Sequence, residues 1–476
     1  MVMSFWYRSG VCSNNERGNR QNTLSLRYGV SALAMLCAAT VVVRAQDIPP
    51  GFLATFDITQ RLEYSDNIDF DDDADAESDL FGRTVLGFGL ESVTKVQRFA
   101  LNLGLDITEG RDNRSSVDID NPFVRLAYDR NVRNATLGVD FNYRDSDVDG
   151  DIDDLVFDED GNIITQRGGT RQFLSFGLDG AVGRDAPIGA TWSYQYSELN
   201  YSGTNDPDLT DQNTNTFSGR INFRITPKVT TSLTGRYSDF DTQGNGVNRE
   251  TSSLGVATNL QISQILRASV GLSYDRIERS GDEIGTDEGI SLNAGLNRAM
   301  PDGSWGVNFN SDVTSNDDGR RSFLRFSRKR ELPTGRLNYS FGLTGADLVG
   351  TDPLFGIDYL HALPDGQVSV GLSQDVRTDD DNDESINTRV RAAYDKRINA
   401  SSSFGVSVAL FNVNDLSAVS DDSQRIDLSL TYRHDLTRVW GLVGSFTHAR
   451  IREENDANRS RNTVFVGLQR SFSWSP

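Results

Sequence analysis

Any chemistry this chain performs has to come from a short inventory of side chains. The densest group is a set of aspartates at alternate positions, Asp145, Asp147, Asp149, Asp151 and Asp153, with Gly150 among them and Asp158, Asp160 and Gly161 behind. Spaced carboxylates around a tight turn are how a loop surrounds a hard cation such as Ca2+. The bidentate Glu that closes such a loop is missing, and Val156 stands in its place. The segment reads first as a solvated acidic loop, with a calcium site as the alternative and no other cofactor expected. Asp71, Asp72, Asp73 and Asp75, and the run Asp379 to Asp381, read as solvated faces too.

Catalytic constellations are scarce. The three histidines, His361, His434 and His448, fall near different turns or strand ends and share no metal-ligand spacing. A hydrolase would need one of them beside a Ser on an adjacent strand, and His448 is the candidate for that role. The expectation is a protein that is not an enzyme. Both cysteines, Cys12 and Cys37, lie close to the N-terminus, so the remainder offers no disulfide and no thiolate metal site.

The charged residues that remain alternate with apolar ones, and this alternation defines the elements. Phe99, Leu101, Leu103, Leu105 and Ile107 are interleaved with Ala100, Asn102, Gly104 and Asp106. The same pattern recurs at Ala135 to Tyr143, Phe217 to Ile225, Leu337 to Leu343 and Ile426 to Tyr432. A period of two puts the apolar residues on one face of a β-strand and Asp, Arg, Asn, Ser and Gly on the other. A helix would scatter the same residues around its circumference.

The connections between these segments alternate in length. Short turns are expected at Thr94-Lys95, Asn131–Arg133, Gly183–Pro187, Thr226–Lys228, Gln264, Pro301–Ser304, Leu332–Gly335, Leu363–Gly366, Asn399–Ser402 and Asp435–Arg438. Longer, mostly acidic connections fall near 66–79, 109–120, 145–169, 198–213, 240–249, 278–288, 312–320, 345–352, 376–385, 413–423 and 451–461. Together they join 22 strands, with about 20 to 24 as the range that boundary errors allow. An even number of strands with short turns at one end and long loops at the other is the layout of an outer-membrane barrel. The predicted fold is therefore an all-β, up-and-down antiparallel transmembrane barrel over 52–474.

No window holds the roughly 18 consecutive apolar residues of a spanning helix, so a membrane would have to be crossed by strands, closed so that every backbone group is paired. The tyrosines agree. Tyr64, Tyr143, Tyr237 and Tyr274 fall at the outer ends of outward strands, and Tyr128, Tyr394 and Tyr432 at the periplasmic ends of inward ones. Amphipathic rings favour those two interfacial belts.

Polar faces then point inward. Arg220, Arg224, Arg236, Arg325, Arg389 and Arg391 are expected to line the wall with Asp106, Asp140, Asp179, Asp358 and Asp427. In a dry barrel such charges would have to pair, whereas a water-filled lumen accommodates them at little cost. Cross-linking of neighbouring strands is the competing role for the same residues.

At the N-terminus, Arg17, Arg20 and Arg27 precede the apolar run Gly29–Val43, and Val43-Arg44-Ala45 suits cleavage after Ala45. The expected organisation is a signal peptide over 1–45, a lead-in over 46–51 and the barrel. Cys37 lacks the small preceding residue a lipoprotein cut needs. Barrels of this size can hold a plug, but 46–51 is too short for a separate plug domain, which leaves an open pore or one narrowed by loop 145–169. Removing 1–45 takes away five Arg and one Glu and moves the net charge from -21 to -25, which argues against a nucleic-acid partner.

The last strand runs Val464, Val466, Leu468, Arg470, Phe472, Trp474. It resembles the C-terminal signal read by the barrel assembly machinery, apart from Arg470 on the lipid face and the Ser475-Pro476 end. The first strand exits through Leu62-Glu63-Tyr64-Ser65-Asp66-Asn67-Ile68. A Tyr followed by Asp-Asn at that place resembles the β-barrel porin family associated with exopolysaccharide-export loci. The resemblance implies an outer-membrane conduit serving passive diffusion or polysaccharide export, with export components as partners. The alternative is a structural barrel with a closed lumen whose acidic loops bind a partner. Acidic loops at the cell surface would meet lipopolysaccharide phosphates through divalent cations.

Overall fold

The computed structural model describes residues 51–110, 117–147, 169–203, 209–243, 246–281, 284–314, 320–346, 350–378, 384–415, 423–453 and 458–475. They form 22 strands: β1 (Gly51–Ser65), β2 (Asp79–Val93), β3 (Gln97–Glu109), β4 (Val117–Val132), β5 (Ala135–Asp147), β6 (Thr170–Val182), β7 (Ile188–Ser202), β8 (Gln212–Thr226), β9 (Val229–Thr242), β10 (Val247–Gln261), β11 (Leu266–Gly281), β12 (Gly285–Met300), β13 (Gly303–Val313), β14 (Arg320–Leu332), β15 (Gly335–Ala346), β16 (Gly350–Leu363), β17 (Gly366–Thr378), β18 (Glu384–Arg397), β19 (Ser402–Asp415), β20 (Ser423–Asp435), β21 (Trp440–Glu453) and β22 (Arg459–Trp474). Each strand pairs antiparallel with its neighbours in sequence. β1 also pairs with β22, from Ala54 opposite Trp474 to Ser65 opposite Thr463, so the sheet closes on itself. A closed ring has no edge strand to leave backbone groups unpaired.

The register keeps side chains of one kind in continuous rows. Leu101, Leu126, Phe141, Phe176 and Tyr196 are successive partners across five strands, all on one face. That face is outside: Phe217, Leu254, Ile290 and Phe341 are each more than half exposed. The opposite face carries Glu63, Arg83, Arg425, Asp427 and Arg459, all buried. A water-soluble protein has the reverse polarity, since each large apolar side chain left in water forgoes about 1.5–3 kcal/mol. Hydrocarbon around the barrel removes that penalty and gives no partner to a charge, so charges turn inward.

Aromatic rings cluster on the short-turn half of the outer face. Phe52 meets Trp474 edge-on at 5.6 Å, Phe56 stacks on Phe472 at 6.4 Å, and Phe326 packs between Trp305 and Phe341. The awkward Arg470 belongs to this belt. Its guanidinium lies 4.4 Å from the Phe472 ring centre and 5.3 Å from that of Trp440, so the charge rests on two ring faces near the rim.

All ten short turns fall where the sequence places them. At the other end, several connections are shorter than expected, among them three of the shortest: β9 runs to Thr242 and β10 begins at Val247, β11 to β12 spans Gly281 to Gly285, and β15 to β16 spans Ala346 to Gly350. Past the lipid both faces of a strand meet water, so segments such as Arg276–Arg279 carry charges on both sides and lose the apolar alternation while keeping the ladder.

Candidate functional site

The inner face has three regions that differ in how their charges are satisfied. Around β20, β22 and β1 to β3, charges are buried and paired. Arg61 Nε lies 2.9 Å from Glu63 Oε2, and Arg83 sits between Glu63 at 3.9 Å and Asp106 at 3.7 Å. Asn121 reaches the same Asp106 carboxylate through Nδ2 at 3.3 Å, from a left-handed backbone with φ 51° beside a bulge in the β3–β4 ladder. Arg425 donates from Nε to both oxygens of Asp427 at 3.0 Å, with both residues buried. Desolvated charges persist only with such partners.

Above this wall the connection 66–78 folds inward. Phe70, 5 % exposed, inserts between Phe411, Ala449 and Ile451, against Ala409 and Val413. These are inner-face residues of β19 and β21, so the segment covers the wall from inside. Polar contacts fix it along β22. The Asp66 carboxylate accepts from the Asn462 backbone N–H and from Asn462 Nδ2, each at 2.7 Å. Asn67 Nδ2 donates to the carbonyls of Asp71 and Ser460, and its Oδ1 accepts from the Asp71 N–H. Asp72 pairs with Arg459 at 3.5 Å, Ser460 donates to Asp73, and the Arg461 guanidinium covers the Phe70 ring at 4.9 Å. This corrects the solvated reading for Asp71 and Asp72, which are half-buried against the wall, whereas Asp73 and Asp75 are exposed as expected and Asp379 to Asp381 lie outside the described residues. The reason is Phe70, one aromatic whose burial outweighs the acidity around it. The Ser65-Asp66-Asn67 motif is the hinge of this arrangement.

The third region, the inner face of β7 to β10, is open. Here Arg220 and Arg236 stand exposed on adjacent strands, and among the described residues neither makes an ion pair. They border a cavity of about 590 Å³ together with Asp179, Ser193, Ser218, Thr234 and Ser253.

The other residues singled out from sequence distribute as follows. Arg224 donates to the carbonyls of Arg184 and Asp185 at the turn before β7. Arg325 meets Asp375 at 3.4 Å with both side chains about half exposed. Arg391 covers the Phe411 ring at 5.4 Å, and Arg389 is the register partner of that Phe. Asp140 and Asp179 each lie across from a glycine, Gly177 and Gly138, which leaves room where a Cβ would collide with the carboxylate. Asp358 and Arg391 both register with Gly371, and the Asp358 carboxylate reaches over that empty position while Arg391 turns to the Phe411 side. All eleven residues expected to line the wall share the inner face.

Of the spaced aspartates, Asp145 accepts from Gln172 Nε2 at 2.9 Å and Asp147 ends β5, while Asp149, Asp151 and Asp153 lie outside the described residues, as does most of loop 145–169. Among the described residues no group of three or more His, Cys, Asp or Glu is placed to hold a metal ion. The histidines stay apart. His448 Nδ1 contacts Asn462 Oδ1 at 2.9 Å, so the Ser-His neighbour sought at His448 occurs instead at His434, whose Nδ1 is 2.8 Å from Ser402 Oγ. That pair clamps the β18–β19 turn beside the Asp435 N–H to Ser401 carbonyl bond.

No protein-family model matches the sequence, and no curated protein matches it. Solved structures match in shape. A ferric enterobactin receptor (PfeA) of Pseudomonas aeruginosa, in a complex with enterobactin, superimposes with a TM-score of 0.54 at 10 % identity over 89 % of this chain and 82 % of that one. The siderophore receptor PirA of Acinetobacter baumannii gives 0.53 at 9 % identity over 90 % and 81 %, and the copper transporter OprC 0.52 at 10 % over 89 % and 81 %. At such identities the likeness shows the fold alone: a closed, 22-stranded antiparallel barrel, as in these outer-membrane proteins.

Proposed function

We infer that the chain is an outer-membrane channel for hydrophilic solutes, exported behind its N-terminal leader and narrowed at one mouth by the inward loop 66–78. The observation that carries this reading is the open wall of β7 to β10. Exposed, unpaired arginines inside a closed barrel require water in the lumen, and a water-filled lumen through a bilayer is a conduit. The structural neighbours named for siderophore and copper uptake support transport in the broad sense. A dedicated link to polysaccharide export rests on the Tyr64-Ser65-Asp66-Asn67 motif, whose last three residues have a structural task here in anchoring the loop.

On this reading the termini lie in the periplasm and the long acidic loops at the cell surface, against lipopolysaccharide, an orientation that the short turns at one end and long loops at the other support. Liposome swelling tests the function. Vesicles holding refolded barrel should swell in isotonic arabinose faster than empty vesicles, and rates should fall as the sugar grows. Swelling indistinguishable from that of empty vesicles would favour a closed structural barrel.

A further inference from the structure

The inner faces of β7, β8, β9 and β10 carry four cations, Arg220, Arg224, Arg236 and Arg249, and no carboxylate. This is unexpected in a chain with 68 acidic and 47 basic residues. Two of the four are engaged: Arg224 by backbone carbonyls, and Arg249 over the Phe240 ring at 4.5 Å. Arg220 and Arg236 remain. Thr234 is the partner of Arg220, while Arg236 faces Ser218 on one side and Ser253 on the other, so the two guanidiniums stand diagonally across one strand pair. Such diagonal positions lie within reach of each other's long side chains. Two like charges at diagonal positions with no carboxylate on these four inner faces can both turn to one anion, and an anion bound there relieves their mutual repulsion.

The rest of the cavity adds a second specificity. Ser193 and Ser218 share a hydrogen bond at 2.7 Å, and Ser253, Thr234 and Asn293 complete a belt of neutral donors and acceptors around the arginines. Asp179 lies at the cavity's other side, able to accept from a hydroxyl. A volume of about 590 Å³ falls in the size range of small-molecule sites. Planar guanidiniums match a carboxylate in bidentate fashion.

We propose that the β7–β10 wall is a binding site for hydroxylated carboxylates, of the size and chemistry of sugar acids, with the carboxylate on Arg220 and Arg236 and the sugar hydroxyls on Ser193, Ser218, Thr234 and Ser253. The proposal rests on the channel reading for its physiological sense, as it names the solute class that the pore would favour. The binding itself needs only a folded barrel.

The test is equilibrium dialysis of galacturonate, with galactose as the neutral control, against the full-length barrel refolded in a zwitterionic detergent. Wild type should bind galacturonate in preference to galactose, and the preference should shrink as salt rises. The double variant Arg220→Gln/Arg236→Gln should weaken galacturonate about tenfold or more and leave galactose unchanged. Ser218→Asp, which places a carboxylate beside Arg236 without removing an arginine, should weaken it as well, and it keeps the proposal testable if the double variant fails to fold. Equal binding of the two sugars by wild type, or full binding by Ser218→Asp, would overturn the site. Bilayer recording on the same preparations separates the two readings. A silent barrel that binds galacturonate through its arginines keeps the site and removes the channel. A conducting barrel that discriminates neither sugar keeps the channel and removes the site.

Discussion

Replacing Phe70 by alanine should release the inward loop. The ring is 5 % exposed and packs on Phe411, Ala449 and Ile451 with a guanidinium over its face. Truncating a buried Phe to Ala costs about 3–5 kcal/mol where the surroundings cannot collapse. A loop on a wall can partly settle, so the lower end, about 3 kcal/mol, applies. At 1.4 kcal/mol per factor of ten, the ratio of docked to released loop falls by about a hundredfold. Backbone strain gives a second handle, because Phe70 sits at φ 54°. Alanine keeps the left-handed penalty of about 1–2 kcal/mol, and glycine removes it. Phe70→Gly should therefore hold the loop better than Phe70→Ala although it removes slightly more side chain. The assay is amide exchange at Ile68, Asp71 and Asp73, whose N–H groups bond to the Glu77 carbonyl, to Asn67 Oδ1 and to the Asn458 carbonyl. These amides should lose protection in Phe70→Ala while those of mid-strand β19 keep it. Unchanged protection at all three, or Phe70→Gly more labile than Phe70→Ala, would refute the reasoning.

On the outer face, Phe217→Arg or Leu254→Arg should cost about 2–4 kcal/mol in lipid-reconstituted unfolding, whereas Asn102→Arg, on the inner face, should be nearly neutral; a larger cost at Asn102 would mean the two faces are inverted, and equal costs would contradict the lipid-facing assignment. Asp427→Asn should destabilise by about 3–5 kcal/mol in the same assay, since it leaves buried Arg425 without its carboxylate; a change below about 0.5 kcal/mol would show that water already solvates the pair. Asp302, in the β12–β13 turn, is held below the usual carboxylate range chiefly by the Arg328 hydrogen bond at 2.6 Å. Because its folded-state pKa is lowered, its contribution is present above about pH 4 and is lost as pH falls through the folded value. Melting of Asp302→Asn should thus lie below wild type at pH 7 and converge with it in acid, and a gap that persists below pH 2 would contradict the assignment.

Strand number, turn positions and the two faces were legible because each depends on a local pattern. Leu101, Leu103 and Leu105 repeat with the period that fixes a face, and short turns such as Thr226–Lys228 interrupt it. Strand ends were less legible, because lipid enforces alternation and beyond the lipid Arg276 and Arg279 can both face water. Arg470 appeared misplaced on the lipid face in sequence, since Trp440, which helps carry its charge, comes from another strand 30 residues away and is aligned by register. The inward loop was hidden for the same reason. Phe70 is the only apolar side chain between Phe70 and Glu77 apart from Ala74 and Ala76, and its receptor is assembled from β19 and β21. Its signal was an aromatic set in a run of aspartates. The inner-face arginines could be placed from parity, but which were paired depended on side chains from distant strands, as with Arg325 and Asp375.

Single-channel recording in planar bilayers tests the central claim most directly. Barrel refolded from residues 46–476, with its folded state checked by heat-modifiable mobility, should insert to give discrete conductance steps. The steps should grow in Phe70→Ala as the loop leaves the mouth. Folded, inserted protein that gives no steps, in wild type and in Phe70→Ala alike, would contradict the account.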